Sequence, residues 1–329
     1  MVQSREAFGY ASDGRQVTAV RLASPDLSAT ILTRGAVLQD VRLPGVDHSL
    51  TLGSPRLDAY EGPMGYFGSI VGPVANRLAG AEAEIGGRTF RFPPNEGATL
   101  LHGGATGLHT RHWAIDASGP DFVRLWLVLA EGDGSFPGRR EIRAEFRIDG
   151  PALTLTLEAE SDALTLMNLA NHSYWNLDGH ATTKGHRLQV AADRYLPVTP
   201  ALIPTGERRA VSGAFDLRAG RELDGSEGFD HNFCLSDAPR PLTEVARLTG
   251  TSGISMELAT TEPGLQIYDA ARLSTWPVPG HGGVPYGAHA GVALEPQRWP
   301  DAPHHPGFPT ILLSPGETYR QLTRWTFRR

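Results

Sequence analysis

The sequence predicts an all-β protein, a large antiparallel sandwich, on three observations. Apolar and polar residues alternate with a period of two along most of the chain, as half-buried strands require. The 38 glycines and 25 prolines among 329 residues supply many turns, without low complexity or a repeat of 20–50 residues that would mark a propeller or solenoid. Helical patterning is almost absent, so the sheets have only one another on which to bury their apolar faces.

The strands are read in chain order. "QVTAVRLAS" (16–24), "SATILTR" (28–34) and "AVLQDVRLPG" (36–45) open the series, each bounded by Gly, Pro, Asp or Ser. The segment 54–62, "SPRLDAYEG", is expected to form one or two helical turns, opened by Ser54 and Pro55. There follow "RTFRF" (88–92), "DFVRLWLVLA" (121–130), "EIRAEFRID" (141–149), "ALTLTLEAE" (152–160), "RLQVAAD" (187–193), "GISMELATT" (253–261), "LQIYDA" (265–270) and "GVALEPQ" (291–297). The loop-like stretches 220–230 and 278–291 each run directly into residues of chemical interest, so they are read as site-forming loops and not as linkers. One domain over residues 1–329 is expected.

Composition narrows the function. Hydrophobic residues make up 40% and charged residues 20%, and the net charge is −6. No basic stripe offers a surface to phosphates, which excludes a nucleic-acid partner. No apolar run approaches the ~18 residues of a membrane span, and no leader is visible at the N-terminus. A single cysteine, Cys234, fits a reducing compartment, so a cytoplasmic location is expected. Lys184 is the only lysine, the other basic residues being arginine, which reads as codon bias and not as function.

Five polar islands interrupt the strands: "GPVANRLAG" (72–80), "TLLHGGATG" (99–107), "NLANHSYWNL" (168–177), "GFDHNFCL" (228–235) and "GVALEPQRWPDAP" (291–303). Each sets a charged or titratable residue among glycines or apolar neighbours, and a buried polar group must be paired or useful. His172 can be a satisfied core histidine or the floor of a polar, aromatic-lined pocket. His102 can be a turn residue at a strand end or a ligand contact, with the two following glycines allowing close backbone approach. Arg77 can neutralise a carboxylate or offer its rigid five-donor fork to ligand hydroxyls. Asp230 and His231 can form a solvated turn or a site. Glu295, inside an apolar strand-like run and before Pro296, is desolvated, and desolvation raises a carboxyl pKa toward general-base values. His109 and His112, and the adjacent His304 and His305, lack zinc-site spacing; no metal is expected. No G-x-G-x-x-G, P-loop or G-x-S-x-G elbow is present, which removes the common nucleotide and acyl-transfer readings, and no cofactor is expected.

In order and spacing, "ANRLAG", "LHGG", "NHSYWNL", "DHNF" and "EPQRWPDAP…FPTILLSPGETY" resemble the aldose 1-epimerases, the galactose mutarotase family. The resemblance runs from about residue 30 to the C-terminus, and the N-H-S-Y and E-x-Q-x-x-P-D-A signatures are its specific parts. It implies a β-supersandwich and the interconversion of α and β anomers of a free aldose. Carried over by motif, His172 is implied as general acid and Glu295 as general base. Arg77, His102 and Asp230 are implied as sugar contacts, with Asn76, Gln297 and Trp175 of the same motifs beside them. Trp175, Pro296, Arg298 and Pro73 depart from the family pattern near the pocket, where they bear on which sugar is preferred. A non-catalytic carbohydrate-binding sandwich, an epimerase of a modified or phosphorylated sugar, and a glycoside hydrolase using Asp230 and Glu295 are the alternatives; the last leaves His172 without a task.

Overall fold

The computed structural model describes residues 2–329; residue 1, the first of the expected domain, lies outside the described residues. Nine antiparallel strands form the largest sheet, in the order Ala114–Ser118, Phe122–Leu129, Arg140–Asp149, Ala152–Ser161, Tyr319–Arg328, Ser255–Thr260, Thr243–Thr249, Arg187–Val190 and Arg221–Glu222. Alternation writes its inner face: Leu125, Ile142, Phe146, Leu155, Leu157, Trp325 and Phe327 are buried, while intervening positions such as Arg320, Arg324 and Arg328 are exposed.

The opposing layer is built from two sheets. One is the meander Val2–Tyr10, Gln16–Ala23, Ser28–Leu32 and Val37–Arg42. The other has six strands, in the order Tyr174–Trp175, Val292–Gln297, Gly264–Tyr268, Asp230–Cys234, Arg194–Tyr195 and Arg209–Ala210. One apolar cluster joins all three sheets: Val20, Leu22 and Ile31 from the meander, Phe233, Ile267 and Leu294 from the six-stranded sheet, and Leu125, Ile142 and Trp325 from the nine-stranded one. This is the predicted supersandwich. Among the described residues the one α-helix is a single turn, Leu57–Tyr60, inside the expected segment 54–62.

Trp175 belongs to this core. It is fully buried, with ring centroids 5.6 Å from Trp325 and 5.7 Å from Phe327 across the layers. Truncating so large a buried ring costs its transfer free energy plus that of a cavity the rigid sheets cannot close. Trp175→Ala is therefore expected to lose about 3–5 kcal/mol of unfolding free energy in urea titrations, and Trp175→Phe markedly less.

Candidate active site

The outer face of the six-stranded sheet carries a second pattern, written by the same alternation. Residues directly opposite one another on neighbouring strands share a face. Asp230 lies opposite Tyr268, Tyr268 opposite Ala293, and Ala293 opposite Tyr174, making one row across the sheet. The next row is Asn232, Gln266 and Glu295, and the third is Cys234, Gly264 and Gln297. Asp230, Tyr268 and Tyr174 of the first row, together with Glu295, line a cavity of about 380 Å³, a size suited to a small ligand.

The facing wall comes from the loops that carry the other islands. Tyr66, Asn76, Arg77, Glu96, His102 and His172 line it, with the buried Phe229 also in the lining and the less buried Leu202, Ala271 and Arg272 at the rim. Arg77–Leu78 pairs with Leu100–Leu101, which brings the A-N-R and L-H-G-G motifs together. Asn76 and His102 both take left-handed backbone conformations, with φ of 61° and 53°. They interlock: the His102 backbone N–H donates to the Asn76 carbonyl (3.0 Å), and the Asn76 backbone N–H donates to His102 Nδ1 (3.1 Å). The glycine after His102 has the reason the sequence suggested, since a Cβ on Gly103 would run into the Gly72 carbonyl.

At the floor, His172 Nε2 stands 3.7 Å from Glu295 Oε1, and the two residues are only 5% and 2% exposed. Burial pulls the His172 imidazole down to about 4. Burial, followed by the nearby Asp230 charge, pushes the Glu295 carboxyl well above its ordinary range, with Arg77 pulling the other way. Both groups are thus driven toward their neutral forms, the reverse of the imidazolium and carboxylate the sequence reading assigned. The pair holds one proton in either arrangement, so the two differ only in where that proton sits. Asp230 is also raised by burial, against Arg77 and a hydrogen bond donated by Gln266 Nε2 (2.7 Å). Tyr66 packs on three imidazoles, with centroids 4.9 Å from His102, 4.7 Å from His109 and 5.9 Å from His172.

The asparagines around His172 serve its backbone. Asn171 Nδ2 donates to the Gly68 carbonyl (2.7 Å), Asn176 Nδ2 to the carbonyls of His180 and Ala290 (2.8 and 2.7 Å), and Asn168 exchanges two bonds with the Arg298 backbone. His172 itself is held in the chain by its N–H to Ser69 O and its carbonyl from Gly68 N, both 2.9 Å.

Of the sequence-expected residues, Arg77, His102, Asp230, Asn76, His172 and Glu295 meet at the cavity. Trp175 and Gln297 do not. Trp175 points to the core because it follows Tyr174, and adjacent strand residues face opposite sides. Gln297 shares the face of Glu295 but lies one row farther along, fully buried opposite Gly264. The loop 278–291 likewise turns away: its Tyr286 hydroxyl donates to the Gly53 carbonyl (2.9 Å) instead of lining the cavity. The sequence reading missed Gln266, Tyr66 and Glu96. Gln266 could have been found, as the polar residue in "GLQIY" whose register sets it beside Glu295.

His102, His172 and Glu295 bring one donor atom each to within 4.8 Å, the one such triplet among the described residues. The Asn76 N–H bond to His102 Nδ1 leaves the proton of the neutral ring on Nε2. Such a nitrogen donates to a ligand oxygen and has no lone pair for a cation, so the set suits hydroxyl recognition better than metal binding.

The aldose 1-epimerase family model matches residues 18–326. The galactose mutarotase of Mus musculus is 36% identical over 98% of both chains, and the aldose 1-epimerase of Escherichia coli K12 is 31% identical over 98% of both. Among solved structures, the GalM/aldose epimerase homologue from C. elegans superposes with a TM-score of 0.88 at 30% identity, covering 94% of this chain and 98% of that one. Galactose 1-epimerase from Lactobacillus acidophilus NCFM gives a TM-score of 0.85 at 26% identity, covering 99% and 98%.

Histidine NMR titration checks the electrostatics of the site. His109, His172 and His231, each pulled down to about 4 chiefly by burial, are expected to stay neutral through pH 7 and to gain a proton only near that value. A His172 resonance titrating near the ordinary ~6.5 would contradict the dominance of burial over the neighbouring Glu295 at this ring.

Proposed function

This chain belongs to the aldose 1-epimerase family, and we propose that His172 and Glu295 carry its reaction as general acid and general base. The enzyme is an isomerase that interconverts the α and β anomers of a free aldose. The observation that carries the assignment is the buried 3.7 Å His172–Glu295 contact on the wall of a cavity that also gathers Arg77, His102 and Asp230.

Ring opening removes the proton from the anomeric hydroxyl and delivers one to the ring oxygen. A carboxylate and an imidazolium do both in a single passage: Glu295 takes the hydroxyl proton and His172 gives its own to the ring oxygen. Rotation about the C1–C2 bond turns the aldehyde, and reclosure runs the transfers backward, so that Glu295 gives and His172 takes. No electrons or groups are exchanged, and the pair ends with the proton it began with. The ion-paired arrangement needed at the start is disfavoured by burial. Arg77, whose charge pulls the Glu295 carboxyl down, and sugar hydroxyls donating to that carboxylate supply the compensation. His102 Nε2–H and the Arg77 fork are donors to hydroxyls, Asp230 is an acceptor fixed by Gln266, and Tyr66 and Tyr174 are apolar walls.

Galactose is the substrate we infer first, from the names of the relatives and the cavity's hydroxyl-binding groups. We likewise infer one domain over residues 1–329, supported by a cavity that draws on residues from 66 to 295, and a cytoplasmic location, supported by the single cysteine, Cys234. Among the described residues no helix is long and apolar enough to cross a membrane.

Polarimetry on freshly dissolved α-galactose and α-glucose tests the assignment. Wild type is expected to speed the approach to anomeric equilibrium, and His172→Asn or Glu295→Gln to lower kcat at least ~100-fold with circular dichroism unchanged. A folded variant with near-wild-type turnover removes that residue from the mechanism.

A further inference from the structure

Glu96 has no place in the acid–base chemistry, yet it grips the one guanidinium of the cavity wall most directly. It lies on the turn between Arg88–Arg91 and Leu100–Leu101. That turn is closed by backbone bonds between Glu96 and Thr99, and by Asn95, whose side chain exchanges two bonds with the Leu101 backbone (3.1 and 2.7 Å). So held, the Glu96 carboxylate meets Arg77 in a two-point contact: Nε donates to Oε2 at 2.6 Å and Nη2 to Oε1 at 3.0 Å. Arg77 Nη1 lies on the other side, 3.6 Å from Asp230 Oδ2. Both partners line the cavity; the Arg77 side chain is 10% exposed, that of Glu96 42%.

The side of a guanidinium formed by Nε and Nη2 is the geometry that recognises a carboxylate or phosphate bidentately. Here it is already filled by a carboxylate of the protein. The other two-point end of the guanidinium, Nη1 with Nη2, has Nη1 beside the Asp230 carboxylate, so the hydrogens left to Arg77 suit single hydroxyls. An anion approaching the cavity meets Glu96, Asp230 and Asp269 against only Arg77 and the rim residue Arg272.

We propose that Glu96 is the specificity-determining residue that confines this site to uncharged sugars, by occupying the two-point face of Arg77 that an anionic sugar would otherwise take. The proposal rests on the aldose 1-epimerase reading and deepens it by naming the excluded substrate class, sugars bearing a carboxylate or phosphate. Glu96 is also a positioning residue, since its grip sets the direction of the remaining Arg77 donors.

The test compares full-length wild type, Glu96→Ala and Glu96→Gln, each first checked for an unchanged circular dichroism spectrum. Anomerisation of galactose and of galacturonate is measured, and inorganic phosphate binding is followed by calorimetry. A charge-assisted two-point contact corresponds to roughly 10–100-fold in affinity. The ratio of kcat/KM for galactose over galacturonate is therefore expected to fall at least ~10-fold in Glu96→Ala, with the KM for galactose rising more than kcat changes. Phosphate is expected to bind at least ~10-fold tighter to Glu96→Ala than to wild type, and Glu96→Gln, isosteric but uncharged, to shift in the same direction. In an active enzyme the ratio decides: if both variants lose activity equally toward the two sugars, Glu96 is only structural and the proposal is overturned. If wild type accelerates no sugar, the acid–base reading fails on its own, and the phosphate titration decides for Glu96. Tighter binding to the variants supports its role at the Arg77 fork, and unchanged binding overturns it.

Discussion

Desolvation of the Glu295 carboxyl beside the His172 imidazole constrains everything else in the site. Charge on either group is penalised by burial, and charge on both at once is tolerable only because they lie 3.7 Å apart and cancel. This makes the pair a reservoir for one proton. Loss of that proton would leave a buried carboxylate facing a neutral ring, and gain of a second would leave an unpaired imidazolium; both are costly. A reaction that takes one proton from the substrate while giving it another matches such a reservoir, because the total never changes. The two arrangements of the shared proton are then states between which the substrate chooses, through the hydroxyls it sets against the carboxylate.

The need to keep those groups buried yet in register explains why a sheet carries them. On the six-stranded sheet, one strand of alternating residues sends Leu294 into the apolar core and Glu295 to the cavity, and the same division separates Ile267 from Gln266 and Trp175 from Tyr174. Core packing and catalytic placement are thus fixed by a single register. A slip of one residue would bury Ala293 and Glu295 in the core and send Val292 and Leu294 to the cavity, so the apolar cluster that stabilises the fold also guards the geometry of the site. His172 needs a different device because it sits on irregular backbone. Three asparagine side chains tie that backbone to Gly68, Ala290 and Arg298, which is why the amides gather around it in the sequence.

The all-β class and most strands were legible in the sequence for a physical reason, whereas the six residues that meet at the cavity were named through the motif resemblance, with the burial of Glu295 the one strong physical pointer among them. Alternation reports burial on one face, and a titratable residue inside an apolar run reports a desolvated site. Other features escaped because they depend on partners distant in the chain. The C-terminal strand Tyr319–Arg328 pairs with Ala152–Ser161 and Ser255–Thr260 near the middle of the largest sheet. It is absent from the strands read in the sequence, although Tyr319, Trp325 and Phe327 alternate there with arginines and threonines. Gln297 was implied as a sugar contact by its motif, and it lies two residues from Glu295 on the same face. Only the position of the cavity along the strand, set by the Asp230 row, tells the two apart. The protonation states were also out of reach, since motif chemistry names an acid and a base while burial, a property of the folded chain, decides which form each prefers.

Arg77 connects these levels. Its charge offsets part of the desolvation of Glu295 and of Asp230, yet it is itself buried and needs a partner of its own. Glu96 supplies that partner from the mouth side, leaving the inner side of the guanidinium to act on the floor of the cavity. If Asp230 were the only carboxylate near Arg77, the guanidinium would turn toward it and close a two-point ion pair inside the cavity, consuming both a sugar donor and a sugar acceptor. By holding Arg77 from the other side, Glu96 keeps the Arg77–Asp230 contact at 3.6 Å, long enough for hydroxyls to compete for both groups. A residue remote from the proton transfers thereby preserves the polar groups that bind the sugar on which the transfers act.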